Sequence, residues 1–303
     1  MKDGDTYFIE SYTTGFLRKL KIDKLYFQGE TKYQTVLCFS NQFLGKALFL
    51  DEKIQSAQID EFIYHEALVQ PVLCTHPDPK EILVIGGGEG ATLREVLRHD
   101  SVQKATMVDI DEELVQICKE YLPEWSEGAF TDPRIDLKFM DARSFVEDTE
   151  KKFDIVISDL TEPLEKGPSV FLFTKDFFEG VHQILNEEGI FVLQAGSTDP
   201  VYSQFFTSCV KTLEAVYSCV RPYWTFIVSF SLPWGFVLAS KKEDPLEVAE
   251  EQIAGCLKKR GVKDLKFYHP GLHRALFALP LYLEKGIREA RMLTDKKPFI
   301  WEV

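Results

Sequence analysis

Apolar and polar positions change rhythm about sixty residues into this chain. Before that point, residues 16–28 (FLRKLKIDKLYFQ), 35–39 (TVLCF) and 46–51 (KALFLD) carry alternating, β-branched or aromatic residues. GETKY and SNQFLG between them read as turns, so this part is expected to be β-rich. No long helical pattern precedes Asp60; from there DEFIYHEALVQPVL has helical spacing, with Pro71 inside or ending the helix. Beyond the turn-rich THPDP, apolar runs alternate with helical patterns. EILVIGG, KATMVDI, IDLKFMD, FDIVISD and GIFVLQA read as strands. GATLREVLRH, DEELVQICKEYL, TKDFFEGVHQIL and a segment near 200–215 read as helices. VYSCVRPYWTFIVSF and WGFVLAS look like a hairpin closing the sheet, and 245–262 has the spacing of an amphipathic helix. The pattern predicts an α/β fold, a doubly wound parallel sheet covered on both faces. A small N-terminal β domain, 1–58, is expected to precede a larger α/β domain with a C-terminal helical extension, 59–303.

Bulk properties narrow the function. The 303 residues include 45% hydrophobic and 27% charged side chains, ordinary for a globular protein. No apolar run reaches the length of a membrane span, and MKDGDTYFIE has no signal-peptide core, so a cytoplasmic protein is expected. Against 48 acidic residues stand 35 lysines and arginines, a net charge of −13. That disfavours nucleic-acid partners and mildly favours a cationic ligand. The six cysteines are scattered without a CxxC pair and read as free thiols. His269 and His273 in HPGLH invite a metal reading, but Pro270 breaks the spacing and no third ligand lies nearby; no metal is assigned.

Candidate chemistry begins at LVIGGGEGATLREVL. Gly86, Gly88 and Gly90 form a GxGxG turn between strand and helix, where a backbone comes close to a ligand. Asp109, ending the next strand nineteen residues after Gly90, is placed to accept from ribose hydroxyls. Asp111 competes for that role but suits the N-cap of the following helix. Asp141-Ala142, after IDLKF, suits an adenine amino group. The turn lacks the Lys-Ser/Thr of a phosphate loop, and Glu89 would repel pyrophosphate, so an adenosyl sulfonium fits better. ISDLTEP puts Asp159 and Glu162 at a strand's carboxyl end beside the same crevice. Asp159 is alternatively a turn or capping aspartate before Pro163. Several carboxylates around one crevice call for a positively charged substrate.

QIDEFIYHEALVQP, GGGEGATLREVLRH, VDIDEELV, DARSF, SDLTEP, LFTKDFF and QAG occur in an order that resembles the polyamine aminopropyltransferases, the spermidine, spermine and thermospermine synthases. The resemblance runs over most of the chain and implies a Rossmann-like sheet of the class I methyltransferase type, with 59–303 as the catalytic domain. It implies transfer of a 3-aminopropyl group from decarboxylated S-adenosylmethionine, a co-substrate rather than a cofactor, to an amine, releasing methylthioadenosine. It implies donor contacts from Gln34, His65, Gly86, Gly88, Glu89, Asp109, Ile110, Asp141, Ala142 and Asp159. Acceptor contacts fall to Tyr64, Asp159, Glu162, Gln194, Phe230 and Trp234. Asp159 is expected to orient and deprotonate the attacking nitrogen, with Tyr64 in its network or, alternatively, a core aromatic. His65 and Glu66 could assist or be structural. A family member is further expected to be a homodimer or homotetramer through its N-terminal piece. Glu162, Phe230 and Trp234 depart from the pattern of putrescine-using enzymes, which puts spermidine first as acceptor, agmatine second and putrescine third. The rival on the same sheet is a small-molecule methyltransferase; a rival of another class is a silent nucleoside-binding subunit.

Overall fold

The computed structural model describes residues 6–13, 15–165 and 167–301. Two small antiparallel sheets come first. β1 (Thr6–Thr13) pairs with β2 (Phe16–Ile22). The second sheet runs β3 (Lys24–Glu30), β4 (Thr35–Asn41), β5 (Gly45–Leu50) and β6 (Lys53–Ala57) in sequence order. The apolar run 16–28 is therefore two strands in different sheets, broken at Asp23, because its alternation carries across the bend without a glycine or proline to mark it. The turn expected at GETKY starts later: Gly29 and Glu30 belong to β3, and the chain reverses over 31–34, where the Thr31 amide bonds the Gln34 carbonyl at 2.9 Å.

α1 (Glu61–Thr75) then leads into the large sheet and is buried on nearly every side. Pro71 lies inside it, removing the amide that would bond the Ala67 carbonyl. The helix continues because the fully buried Tyr223 hydroxyl donates to that carbonyl at 2.9 Å. The large sheet is built from β7 (Glu81–Gly86), α2 (Ala91–Leu97), β8 (Lys104–Asp109), α3 (Glu112–Tyr121), a short α4 (Pro123–Ser126) and β9 (Ile135–Phe139). Next come α5 (Ala142–Asp148), β10 (Phe153–Asp159), α6 (Lys175–Ile184), β11 (Leu185–Ser197), α7 (Gln204–Leu213), β12 (Cys219–Ile227) and β13 (Leu232–Ser240). Strand order is β12-β13-β11-β10-β7-β8-β9; the first five of the chain are parallel, and the β12–β13 hairpin closes the sheet antiparallel. Pro222 is tolerated because β12 is the edge.

Alternate residues of one strand serve opposite layers, as the two-residue period requires. Val84, Ile155, Ile157 and Val192 pack with α1 and α2, whereas Leu83, Ile85, Val156 and Phe191 pack with α5, α6 and α7. The helical run expected from 245 begins instead at Glu250, as α8 (Glu250–Lys259), after one tight turn at 245–247. Two short helices follow, α9 (Pro270–Leu276) and α10 (Leu281–Glu289). Glu66 bolts this extension to α1 by accepting the backbone amides of Lys266, Phe267 and Tyr268 at 2.8, 2.9 and 2.7 Å. Of the two roles open to Glu66, the structural one holds. His273 is buried against the Tyr268 hydroxyl and the Pro245 carbonyl, and His269 caps α9.

Replacing Tyr223 with Phe leaves the Ala67 carbonyl buried and unsatisfied. The expected loss is about 1–3 kcal/mol of unfolding free energy, read from urea denaturation. An unaltered midpoint would mean that the proline-freed carbonyl has another partner.

Candidate active site

The strand order reverses between β7 and β10: the chain leaves β7 toward β8 on one side and returns to β10 on the other. Open α/β sheets bind ligands at such a point, outside the carboxyl ends of the strands. Asp159, the last residue of β10, lies in register with Gly86. Its carbonyl accepts the Gly87 amide at 2.9 Å, and a Cβ on Gly86, whose φ is +77°, would fall 2.3 Å from the same oxygen. Glycine is required there because two backbones meet. Gly88 has no positive φ, but a Cβ on it would lie 3.0 Å from an Asp109 carboxylate oxygen.

A cleft of about 990 Å³ opens above this junction. Its wall carries Gln34, Tyr64, Gly86, Gly88, Glu89, Asp109, Ile110, Asp141, Ala142, Asp159, Glu162, Gln194, Phe230 and Trp234. These are the residues named above, with one exception. His65 is buried behind Glu89 and does not line the cleft. Five carboxylates face the space, those of Glu89, Asp109, Asp141, Asp159 and Glu162; among the described residues no lysine, arginine or histidine does. Burial pushes the Asp109 carboxyl up to about 6 and raises that of Glu162. Such a wall holds unpaid electrostatic cost until a cation arrives.

Four of the five acids, all but Glu162, are held by hydrogen-bond donors. Asp159 accepts from the Tyr64 hydroxyl at 2.6 Å on one oxygen and from Thr92 Oγ1 at 2.5 Å on the other. Burial, reinforced by Asp159, raises Tyr64 well above its ordinary value, so it remains a hydroxyl and a donor. Tyr64 also packs edge-on to Phe230, so both readings of it hold. Asp111 caps α3 through the Leu114 amide at 3.0 Å. Its second oxygen takes Thr31 Oγ1 at 2.6 Å and Gln34 Nε2 at 2.9 Å, which fastens the 31–34 turn over the nucleoside end of the cleft. Asp109 accepts the Asp111 amide at 2.9 Å, and Asp141 caps α5, a helix that the apolar pattern did not mark, through Ser144. Gln194 is fully engaged: it donates to the Leu160 carbonyl at 2.5 Å and accepts from Gly196 N and Trp234 Nε1. Through these bonds it fixes Leu160, Gly196 and Trp234 around it.

Behind Glu89 runs a buried row of alternating charge. Glu89 accepts from Ser56 Oγ at 2.5 Å, which is itself bonded by Trp125 Nε1 at 3.0 Å, and meets His65 Nε2 at 2.8 Å. His65 Nδ1 faces the Glu61 carbonyl at 2.7 Å and the Glu61 carboxylate at 3.0 Å. Glu61 pairs with Arg94 at 2.9 Å, and Arg94 with Glu95 at 3.0 Å. Both ring nitrogens of His65 meet only acceptors, so the ring is an imidazolium. Burial alone would lower its pKa, but hydrogen bonds to Glu61 and Glu89 outweigh it and raise the value to about 10. Glu61 is pulled down to about 2 against its own burial by His65 and Arg94. Sequence reasoning missed Ser56, Thr92, Arg94 and the anchoring role of Asp111. All four act across long sequence separations that no local pattern marks.

An open α/β sheet with an anionic cleft at its switch point defines a Rossmann-like α/β protein. Comparison with known proteins gives the particular family. Residues 61–250 match the model of the spermine/spermidine synthase domain, and residues 6–66 that of the spermidine synthase tetramerisation domain. The chain is 41% identical to polyamine aminopropyltransferase 2 of Hyperthermus butylicus over 294 residues, 96% of each chain. It is 41% identical to the polyamine aminopropyltransferase of Sulfurisphaera tokodaii, covering 91% of this chain and 92% of the other. A crystal structure of spermidine synthase in complex with the transition-state analogue AdoDATO superposes with a TM-score of 0.87 at 31% identity, covering 94% and 95%. The chain belongs to the spermidine/spermine synthase family and is a polyamine aminopropyltransferase, an enzyme of EC class 2.5.1. The tetramerisation match supports a homo-oligomer. Among the described residues no helix is long and apolar enough to cross a membrane.

His65 binds its proton more tightly folded, near 10, than at its ordinary value of 6.5. Its contribution to stability is therefore complete below about pH 6.5 and is lost as pH rises toward 10. Glu61, depressed from 4.5 to about 2, contributes above pH 4.5 and loses its share as pH falls through 2. Urea midpoints measured at pH 7 and pH 10 are expected to differ more in the wild type than in His65→Gln, whose amide does not titrate. Equal differences would contradict a protonated His65.

Proposed function

We propose that the enzyme moves the 3-aminopropyl group of decarboxylated S-adenosylmethionine onto a triamine, spermidine first, with agmatine second and putrescine third. The observation that carries the reading is the cleft wall of five carboxylates without a base, with Tyr64 and Thr92 aiming Asp159. Asp109 receives the ribose hydroxyls and Asp141 the adenine amino group, with Gln34 closing the nucleoside end. The donor's ammonium pairs with Glu89. S-adenosylmethionine carries a carboxylate beside that ammonium, which Glu89 repels, and this separates the enzyme from methyltransferases on the same sheet.

An alkylamine has a pKa near ~10, so about one molecule in a thousand is deprotonated at neutral pH. Asp159 holds the attacking nitrogen and takes its proton. The nitrogen lone pair attacks the carbon next to the sulfonium. The carbon–sulfur bond breaks with its electrons going to sulfur, and methylthioadenosine leaves as a neutral thioether. The next ammonium of the acceptor meets Glu162. A triamine is favoured because a second cavity of about 570 Å³ adjoins the cleft, sharing Ile54, Glu162, Phe230 and Trp234 with it. The homo-oligomer is a tetramer in this reading, assembled through the N-terminal strands.

Incubation with the decarboxylated donor and each of spermidine, agmatine and putrescine, with products separated against isomeric standards by mass spectrometry, tests the acceptor order. Highest kcat/KM on putrescine would overturn it. Asp159→Asn is expected to lower kcat by about 10²–10⁴-fold; a loss under tenfold would remove Asp159 from the proton transfer. Glu89→Gln is expected to weaken the decarboxylated donor about 10–100-fold and narrow its advantage over S-adenosylmethionine. Unchanged binding of both donors by calorimetry would refute that assignment.

A further inference from the structure

The second cavity has room for the far end of a long acceptor but already contains a cation. Its wall combines apolar surfaces suited to methylenes, among them Phe230, Leu232, Trp234 and Trp301, with Glu10, Glu162 and Lys53. Lys53 is the only basic residue on that wall among the described residues. It follows directly after the two-residue turn joining β5 to β6, where Leu50 pairs with Lys53 and both turn residues, Asp51 and Glu52, have positive φ. Such a turn leaves little freedom in where the next side chain starts. Asp51 is held further by the Thr35 amide at 2.9 Å. The ammonium of half-buried Lys53 donates to the Ser11 carbonyl of β1, which keeps it inside the compartment.

The two acids differ in what they lack. Glu10 is buried and satisfied, bonded by Arg18 and by the Ile54 amide at 2.9 Å. Among the described residues no cation lies within ion-pair distance of Glu162. Burial raises its carboxyl and the charge of Lys53 pulls it back down. Lys53 is lowered by burial, while Glu10 and Glu162 act against that. The compartment therefore has one carboxylate free to receive an acceptor cation, and one resident cation competing for it.

We propose that Lys53 limits the preference of this enzyme for long acceptors: its ammonium occupies the ground that the outer ammonium of a triamine must enter, and so narrows the advantage of triamines over diamines. A diamine bound at Asp159 presents one further ammonium, which Glu162 meets. A triamine presents two, and the outer one reaches the part of the cavity where Lys53 stands. Like charges sharing one compartment with aromatic walls repel more strongly than in water. The room for a triamine and the cation inside that room together define a site that takes long acceptors at a raised KM. The inference rests on the acceptor placement proposed above.

The test is the spermidine-to-putrescine ratio of kcat/KM in wild type, Lys53→Met, Lys53→Arg and Glu162→Gln. Lys53→Met is expected to raise the ratio about tenfold, mainly through a lower spermidine KM, because removing one like charge near a bound ammonium is worth an effect of this order. Lys53→Arg keeps the charge and is expected to stay within about twofold of wild type. An unchanged ratio in Lys53→Met overturns the proposal. So does a Lys53→Arg variant that behaves like Lys53→Met, since shape rather than charge would then be responsible. Glu162→Gln separates this failure from failure of the underlying reading. If it raises the KM of every acceptor, the acceptor lies where we place it, and the Lys53 variants alone decide the role of Lys53. If it alters no KM, the placement is wrong and the role of Lys53 falls with it.

Discussion

A carboxylate taken out of water needs either hydrogen-bond donors or a cation, and most of this molecule is arranged around that requirement. The protein supplies donors to Asp159 from Tyr64 and Thr92, and to Glu89 from Ser56 and His65. It puts no basic side chain on the cleft wall among the described residues. The missing positive charge is left to the polyamine substrate. Specificity and catalysis share one cause: the wall is costly when empty and favourable when a multiply charged cation fills it.

That wall depends on a backbone junction. Gly86 and Asp159 end neighbouring parallel strands in register, and the Gly87 amide ties the loop to the Asp159 carbonyl. The glycine loop is thus joined to the strand that ends in Asp159. The N-terminal sheets complete the enclosure. Thr31 and Gln34 fasten onto Asp111 over the nucleoside end. At the other end, the Tyr12 hydroxyl bonds the Phe230 carbonyl at 2.9 Å, and Asp60 takes the Ser229 amide at 2.6 Å. The loop that presents Phe230 and Trp234 is therefore set by residues far away in the chain.

Periodicity and end residues made much of this legible beforehand. The mostly apolar EILVIG and FDIVISD read as strands covered on both faces, and alternation with helical runs predicted a parallel sheet. Once the sheet is parallel, functional residues at strand ends must gather at one edge, which is why Gly86, Asp109, Asp141 and Asp159 could be placed together from sequence alone. Where an inference depended on which of two neighbouring side chains faces the cleft, the sequence was silent. His65 was placed on the wall and sits behind it, because adjacent helix residues point about 100° apart and nothing local records which of the two faces the cleft.

The chain by itself determined the sheet, the crevice, the excess of acids in that crevice and the class of ligand they demand. These follow from local pattern and from the cost of unpaired charge. Only the tertiary structure decided how each acid is held and what shares its space. It showed the row from Glu89 through His65 and Glu61 to Arg94, the tyrosine that rescues the carbonyl freed by Pro71, and Lys53 in the second cavity. Each joins residues brought together by the crossing of separate layers. The strength of a charge interaction depends on distance and burial, and neither can be read from position along the chain.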